Sequence, residues 1–336
     1  MANGLISFNY FYFFAFLKSK RILFFLFFFS VSFLSFAQQY PWWTHYKSNQ
    51  MAINPAFCGT KRIVDFRLNY RNQWTGNEGA PKTYLLLANT RLLKGNLGLG
   101  GFIFNDKIGP FITSYSSLTL AYHLKFPDSE ISVGIQGNYM KRKFNGSEIT
   151  LRNQQDRAIN QYILDNEATF DASLGILYYN DRFHVGLGAN NFIESSIEYY
   201  KNDTAKISKF LNKAHYSFSA GYNFSDNPDF SFENTFNTYL ILGTPVFFDY
   251  TLRMHIKKKI IAGCSLRFGD AVALLLGFTL QDQIQIMYSY DFVTSPLRKY
   301  QSGTHEISLV FSSNLRLDIN KRSKSRFLKQ KFQYLL

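Results

Sequence analysis

The sequence predicts an all-β fold, a transmembrane antiparallel β-barrel of about 14 strands of the outer-membrane type, and three observations lead there. The first is period-two alternation from Gln283 to Phe292. Ile284, Ile286, Tyr288, Tyr290 and Phe292 fall on one face, and Gln283, Gln285, Met287, Ser289 and Asp291 on the other. Strands of soluble sandwiches usually run about five or six residues, whereas about ten tilted residues cross a hydrocarbon layer. The second is the charge on 246–256, where Asp249, Arg253 and His255 oppose Val246, Phe248, Tyr250, Leu252, Met254 and Ile256. A dry sandwich core would make these three cost several kcal/mol per unpaired charge, and a wet lumen removes that cost. The third is that short and longer connections take turns along the chain, as they do between the two sides of an outer-membrane barrel.

Residues 1–37 stand apart from the fold. Lys18, Lys20 and Arg21 precede an apolar run from Ile22 to Phe36, and Ser35-Phe36-Ala37 has small residues where a signal peptidase reads. This is the pattern of a cleaved signal peptide with Gln38 as the mature N-terminus, the rival being an N-terminal anchor because Phe8 to Leu17 is also apolar. No later segment approaches the ~18 uninterrupted apolar residues of a helical span. Residues 38–62 are expected as a periplasmic N-terminal segment, 63–317 as the barrel and 318–336 as a basic tail.

Within the barrel, strands are expected near 63–71, 83–93, 97–105, 112–125, 130–141, 168–179, 182–190, 215–224, 229–239, 246–256, 259–267, 271–280, 283–292 and 304–315. The short connections, such as Lys94-Gly95-Asn96, Asn180-Asp181, Lys257-Lys258 and Gln281-Asp282, are rich in tight-turn residues. The longer ones are 72–82, 106–111, 142–167, 191–214, 240–245 and 293–303, with Phe268-Gly269-Asp270 as a short exception. An even strand number puts both barrel ends and the tail on the periplasmic side.

The net charge of +14 is unevenly spread, with Lys321, Arg322, Lys324, Arg326, Lys329 and Lys331 gathered in the tail. That tail reads either as solvated or as a contact for anionic outer-membrane lipid or an acidic protein. Nucleic acid is excluded as a partner of an exported chain. Aromatic content of 18% suits a surface of Phe and Tyr facing lipid. The two cysteines make no framework, and Cys264, in an alternating strand, reads as a small core residue.

Four segments carry a family resemblance. They are Asn54-Pro55-Ala56-Phe57; Tyr70-Arg71-Asn72-Gln73-Trp74 with Glu78-Gly79-Ala80-Pro81-Lys82; Asn105-Asp106-Lys107-Ile108-Gly109-Pro110; and an end block. The end block joins Gly269-Asp270-Ala271, Tyr290-Asp291, Ser295-Pro296-Leu297-Arg298-Lys299-Tyr300 and Ser302-Gly303-Thr304-His305-Glu306-Ile307. In this order the segments resemble the PorP/SprF family of type IX secretion outer-membrane proteins. The resemblance implies a part in exporting or anchoring surface proteins that bear C-terminal sorting domains, adhesins of gliding motility among them, together with other type IX secretion components. Cys58, where a small residue such as Ala or a Tyr is expected, and the long basic tail depart from the family pattern.

Arg71, Trp74 and Glu78 fall in a surface loop held by Pro81, and Arg298, Tyr300 and His305, beside Glu306, form a second cluster. Each reads as a partner-binding surface or as loop packing that caps the lumen. Catalysis is not expected. His305 and Glu306 are adjacent in a strand and so point to opposite faces, and no spacing singles out a nucleophile with its base. Leu97-Gly98-Leu99-Gly100-Gly101 has no following helix to make a nucleotide loop. No His, Cys or carboxylate cluster has metal-ligand spacing, and no cofactor is expected. A general pore or small-solute transporter is the competing functional reading, which polar inner faces equally allow.

Overall fold

The computed structural model describes residues 41–61, 63–92, 95–145, 148, 164–201, 205–227 and 229–313. The expected signal peptide and basic tail lie outside these residues. Fourteen antiparallel strands close into one barrel. In chain order they are β1 (Val64–Asn72), β2 (Lys82–Arg91), β3 (Leu97–Ile108), β4 (Phe111–Lys125), β5 (Glu130–Asn145), β6 (Leu164–Tyr179) and β7 (Phe183–Asn190). After a separate hairpin, β8 (Ser196–Lys201) and β9 (Ala205–Leu211), the wall resumes with β10 (His215–Asn227), β11 (Phe230–Ile241) and β12 (Phe247–Ile256). It ends with β13 (Ile260–Arg267), β14 (Ala271–Leu280), β15 (Ile284–Val293) and β16 (Thr304–Ser313). Closure is made by β1 on β16, in register from Val64 opposite Ser313 to Asn72 opposite His305. No edge is then left unpaired in lipid.

The alternation read from the sequence sets the two faces. Leu118, Phe170 and Leu276 are 76%, 74% and 62% exposed on the outside, a surface that only lipid or a partner would cover. The one-residue offset of the period puts Thr119, Asp171 and Leu275 inside, all buried. Short turns lie at one end. Lys257-Lys258 and Gln281-Asp282 both take φ values of 49° and 56°, the left-handed pair of a two-residue hairpin whose twist matches its strands. The opposite end carries the longer loops.

Three expectations need correction. The connection at 106–111 is a tight turn at Gly109-Pro110, because β3 and β4 extend to Ile108 and Phe111. Cys264 is exposed on the outer face rather than packed in a core, and Cys58 is buried and free. The sequence reading also missed the hairpin β8–β9, inside the expected loop 191–214, whose Ile197 packs over the lumen with Trp43, Phe104 and Tyr115.

A lumen filled by the chain's own amino-terminal segment

The largest departure concerns residues 41–61, expected as a periplasmic segment. They run through the barrel. Trp42, Trp43, Thr44, His45 and Tyr46 are all buried, as are Met51 to Cys58. The segment makes a short helix at Gln50–Ile53 and a 3-10 turn at Pro55–Phe57. Trp42 meets Tyr239 and Phe247, which lie at the loop end of β11 and β12. Cys58 meets His123 near the turn end of β4. The chain therefore enters the lumen at the loop end and leaves it beside the short turns, where β1 begins. The lumen is accordingly not an open bore, and most of its buried charges have partners that offset their desolvation.

At the loop end those partners form one network. Glu306 is wholly buried. Its Oε2 accepts from the Thr44 N–H at 2.7 Å and its Oε1 from the His45 N–H at 3.0 Å. The same carboxylate takes Arg71 Nη1 and Asn69 Nδ2, each at 2.8 Å. Asp291 accepts from Thr44 Oγ1 at 2.9 Å and from Arg71 Nη2 at 2.8 Å, with Arg267 Nη1 at 3.4 Å. Arg267 also approaches Asp249 at 3.6 Å and Asp270 at 3.0 Å. Charge-assisted bonds of this kind are short and directional, and a forked guanidinium spanning two carboxylates fixes the register of three chain segments at once. His45 places Nδ1 2.6 Å from Ser308 Oγ.

At the turn end the segment is held by shape. Inward-facing glycines form a trough under it. A Cβ built on Gly134 would lie 2.5 Å from Ala56 N, one on Gly100 2.7 Å from Met51 Sδ, and ones on Gly98 and Gly175 would collide with Cys58 O and the Asn54 side chain. A larger residue at Gly98 or Gly134 would displace the segment's backbone, and one at Gly100 or Gly175 would push aside its Met51 or Asn54 side chain. Asn54 Nδ2 donates to Leu187 O of the wall at 3.0 Å, while its Oδ1 accepts from the segment's own Ala56 N–H at 2.9 Å. His123 Nε2 reaches Cys58 O at 2.9 Å, while its Nδ1 meets the Tyr179 hydroxyl, which donates to Glu130 at 2.7 Å. Between the two ends, Trp43 and Met51 pack on inward Leu85, Leu87, Phe102 and Phe104, side chains worth about 1.5–3 kcal/mol each when fully buried.

The expected site residues divide. Arg71 is not in a loop. It ends β1 at 1% exposure inside the network, out of reach of any docking protein. Glu306 joins it there, while His305 faces outward and meets the Tyr288 hydroxyl at 2.8 Å. Trp74 is half-buried at the mouth with φ of 50°, a left-handed backbone that costs a non-glycine residue energy and persists only where neighbours impose it. Here Trp74 N–H donates to Thr304 Oγ1 at 3.1 Å, and Thr75 exchanges backbone bonds with Gly303 at 2.8 Å and Ser302 at 2.6 Å. Loop 72–82 is thus stitched to the segment before β16, and Gly79 O accepts from Gly109 N–H at 2.8 Å. Glu78, Arg298 and Tyr300 are exposed, the last two on the 3-10 turn Pro296–Tyr300. Among the described residues no group of His, Cys, Asp or Glu could hold a metal ion.

Comparisons agree with this architecture. The profile of the family described as type IX secretion system membrane protein PorP/SprF matches residues 35–311. No curated protein sequence matches the chain. Among solved structures, it is similar to the CymD monoaromatic hydrocarbon channel, at 12% identity, TM-score 0.50, covering 80% of this chain and 94% of that one. It is also similar to the P. putida toluene transporter TodX, at 10% identity and TM-score 0.46, covering 79% and 93%. The likeness to CymD concerns the barrel fold alone.

Proposed function

This chain belongs to the PorP/SprF family of type IX secretion system membrane proteins, and on that premise we propose that it works by binding protein rather than by passing solute or by chemistry. In this reading the outer-membrane barrel captures an exported surface protein, an adhesin with a C-terminal sorting domain, at its loop end. It holds that protein for export or anchoring, alongside other type IX components and, where the adhesin serves it, in gliding motility. The observation that carries the reading is the filled lumen. A barrel whose interior is occupied by Trp42 to Cys58 offers partners its rim and not its bore. A closed barrel also has no free strand edge to extend, so loops are the gripping surface. Trp74 supplies an aromatic anchor on a braced backbone, and Arg298, Tyr300 and Glu78 supply exposed contacts of kinds common at binding hot spots. His305, at the loop end of β16 on the outer wall and bonded to Tyr288, borders this surface.

The test is a pull-down of the tagged barrel from detergent-solubilised outer membranes, paired with conductance of the purified barrel in planar bilayers. Recovery of a large exported protein with a C-terminal sorting domain, from a barrel that stays silent, is the expected result. Steady conductance with no such protein recovered would favour the solute-pore reading instead.

A further inference from the structure

The amino-terminal segment does not fill the lumen completely. A chamber of about 310 Å³ remains toward the short-turn end, between Lys47–Lys61 of the segment and the wall of β6, β7 and β10 to β13. Its lining includes the cations Lys47, Lys61, Arg182 and Arg253 but only one carboxylate, Glu233. That carboxylate is already engaged, its Oε1 by Lys47 Nζ at 2.7 Å and its Oε2 facing His255 Nε2 at 3.6 Å. Arg253 stands opposite Glu233 in the β11–β12 register. It is 4% exposed, yet its Nε and Nη2 have no hydrogen-bond partner among the described residues.

The contrast with four other inward arginines is what gives this weight, whereas Arg142, inward on β5, lies over the Phe111 and Phe210 rings. Arg67 meets Asp65, Arg71 meets Asp291 and Glu306, Arg91 meets Glu130, and Arg267 meets three aspartates. Among the described residues Arg253 makes no salt bridge, since Glu233 opposite it is held by Lys47 and faces His255, and a guanidinium cannot escape by losing its proton. A buried charge of that kind needs a counter-charge. The wall is also shaped to keep the space open. A Cβ on Gly263 would lie 3.1 Å from Arg253 Cγ, and one on Gly221 would strike the His184 ring, so these two glycines let both side chains lie flat against the wall. Lys61 and Arg182 are exposed, forming a basic rim on the side where the short turns lie.

We propose that this chamber is an oxyanion site, taking a small phosphate- or carboxylate-bearing solute from the short-turn side, with Arg253 as its principal ligand and Lys47 as a second cation. A guanidinium offers two parallel N–H donors to such a group. The proposal is independent of what the loop end binds.

The experiment titrates the purified full-length barrel in detergent with sodium phosphate, and separately with sodium acetate, against sodium chloride of equal ionic strength. The readout is the temperature at which the barrel loses its heat-modified mobility. A saturable rise with half-effect on the order of 1 mM, a weak-binding scale, is expected in at least one arm, and the stronger arm identifies the group. Arg253→Gln should weaken that response by about tenfold or more, whereas Lys125→Gln, exposed at the turn end of β4 and outside the chamber, should change it by less than about threefold. If Arg253→Gln does not assemble, Arg253→Lys carries the same test, since it keeps the charge and loses the paired donors. No saturable response beyond chloride in either arm, or unchanged binding in the Arg253 variant, would overturn the proposal.

Discussion

The two halves of the lumen hold the same segment by opposite means. At the loop end, Thr44 and His45 are fixed by charge, through Glu306, Asp291, Arg71 and Arg267. At the turn end, Asn54 to Cys58 are fixed by fit, through glycines that bring wall and segment into backbone contact. Charge networks are strong when complete and costly when one member is lost, because the remaining charges stay buried. Shape fit is insensitive to salt and pH but fails on the addition of a methyl group. The comparison teaches that one end of the segment is held chiefly by buried charges and the other chiefly by fit, with the His123–Tyr179–Glu130 chain as a polar tie at Cys58.

The largest expected effect comes from breaking the charged half. Glu306→Gln leaves Arg71 and two backbone N–H groups without their carboxylate, and removing one partner of a buried pair costs about 3–5 kcal/mol. A fall in the denaturation midpoint of the barrel, measured by heat-modified mobility, is the expected outcome. Asp291→Asn should behave alike, and if both variants unfold as the wild type does, the network is not what holds this end. The next effect comes from the fitted half. Gly134→Val places side-chain atoms where the Pro55–Ala56 backbone runs, an overpacking of about 1–3 kcal/mol. Planar-bilayer recordings should show intermittent opening absent from the wild type, and silent recordings from an assembled Gly134→Val barrel would refute the trough.

A smaller effect is expected at the rim. Trp74→Ala or Arg298→Ala should weaken partner retention on cells by more than about 1 kcal/mol without altering barrel mobility. Loss of the folded barrel in Trp74→Ala would make this residue part of the stitching between loop 72–82 and Thr304 instead.

Much of the wall was legible in the sequence, and the reason is local. Residues two apart share a face, so Ile284 to Phe292 announce both the strand and its lipid side without reference to anything distant. The lumen was not legible in the same way. Arg71 is 220 residues from Asp291 and 235 from Glu306, and no periodicity links them. Of the three charges on 246–256 that were read as needing water, Asp249 meets Arg267 and His255 faces Glu233, partners on other strands that periodicity could not place. Two signals for the segment were nevertheless present. Leu85 and Leu87 on β2, and Phe102 and Phe104 on β3, are apolar on the inward face as well as the outward one, the pattern of a strand buried on both sides. Glycines at Gly98, Gly100, Gly134, Gly175 and Gly188 recur on the inward face, where a close approach of another backbone is the usual cause.

The central claim, that residues 41–59 occupy the lumen of the assembled barrel, can be tested on the native chain through Cys58, which is buried, in a Cys264→Ser background that removes the exposed thiol. The measurement is the rate at which a bulky water-soluble maleimide labels Cys58 before and after heat unfolding. Labelling at least about a hundredfold slower in the folded barrel, equivalent to roughly 2.8 kcal/mol of protection, is the predicted result. Equal rates in the folded and unfolded states would place the segment outside the lumen and contradict the account.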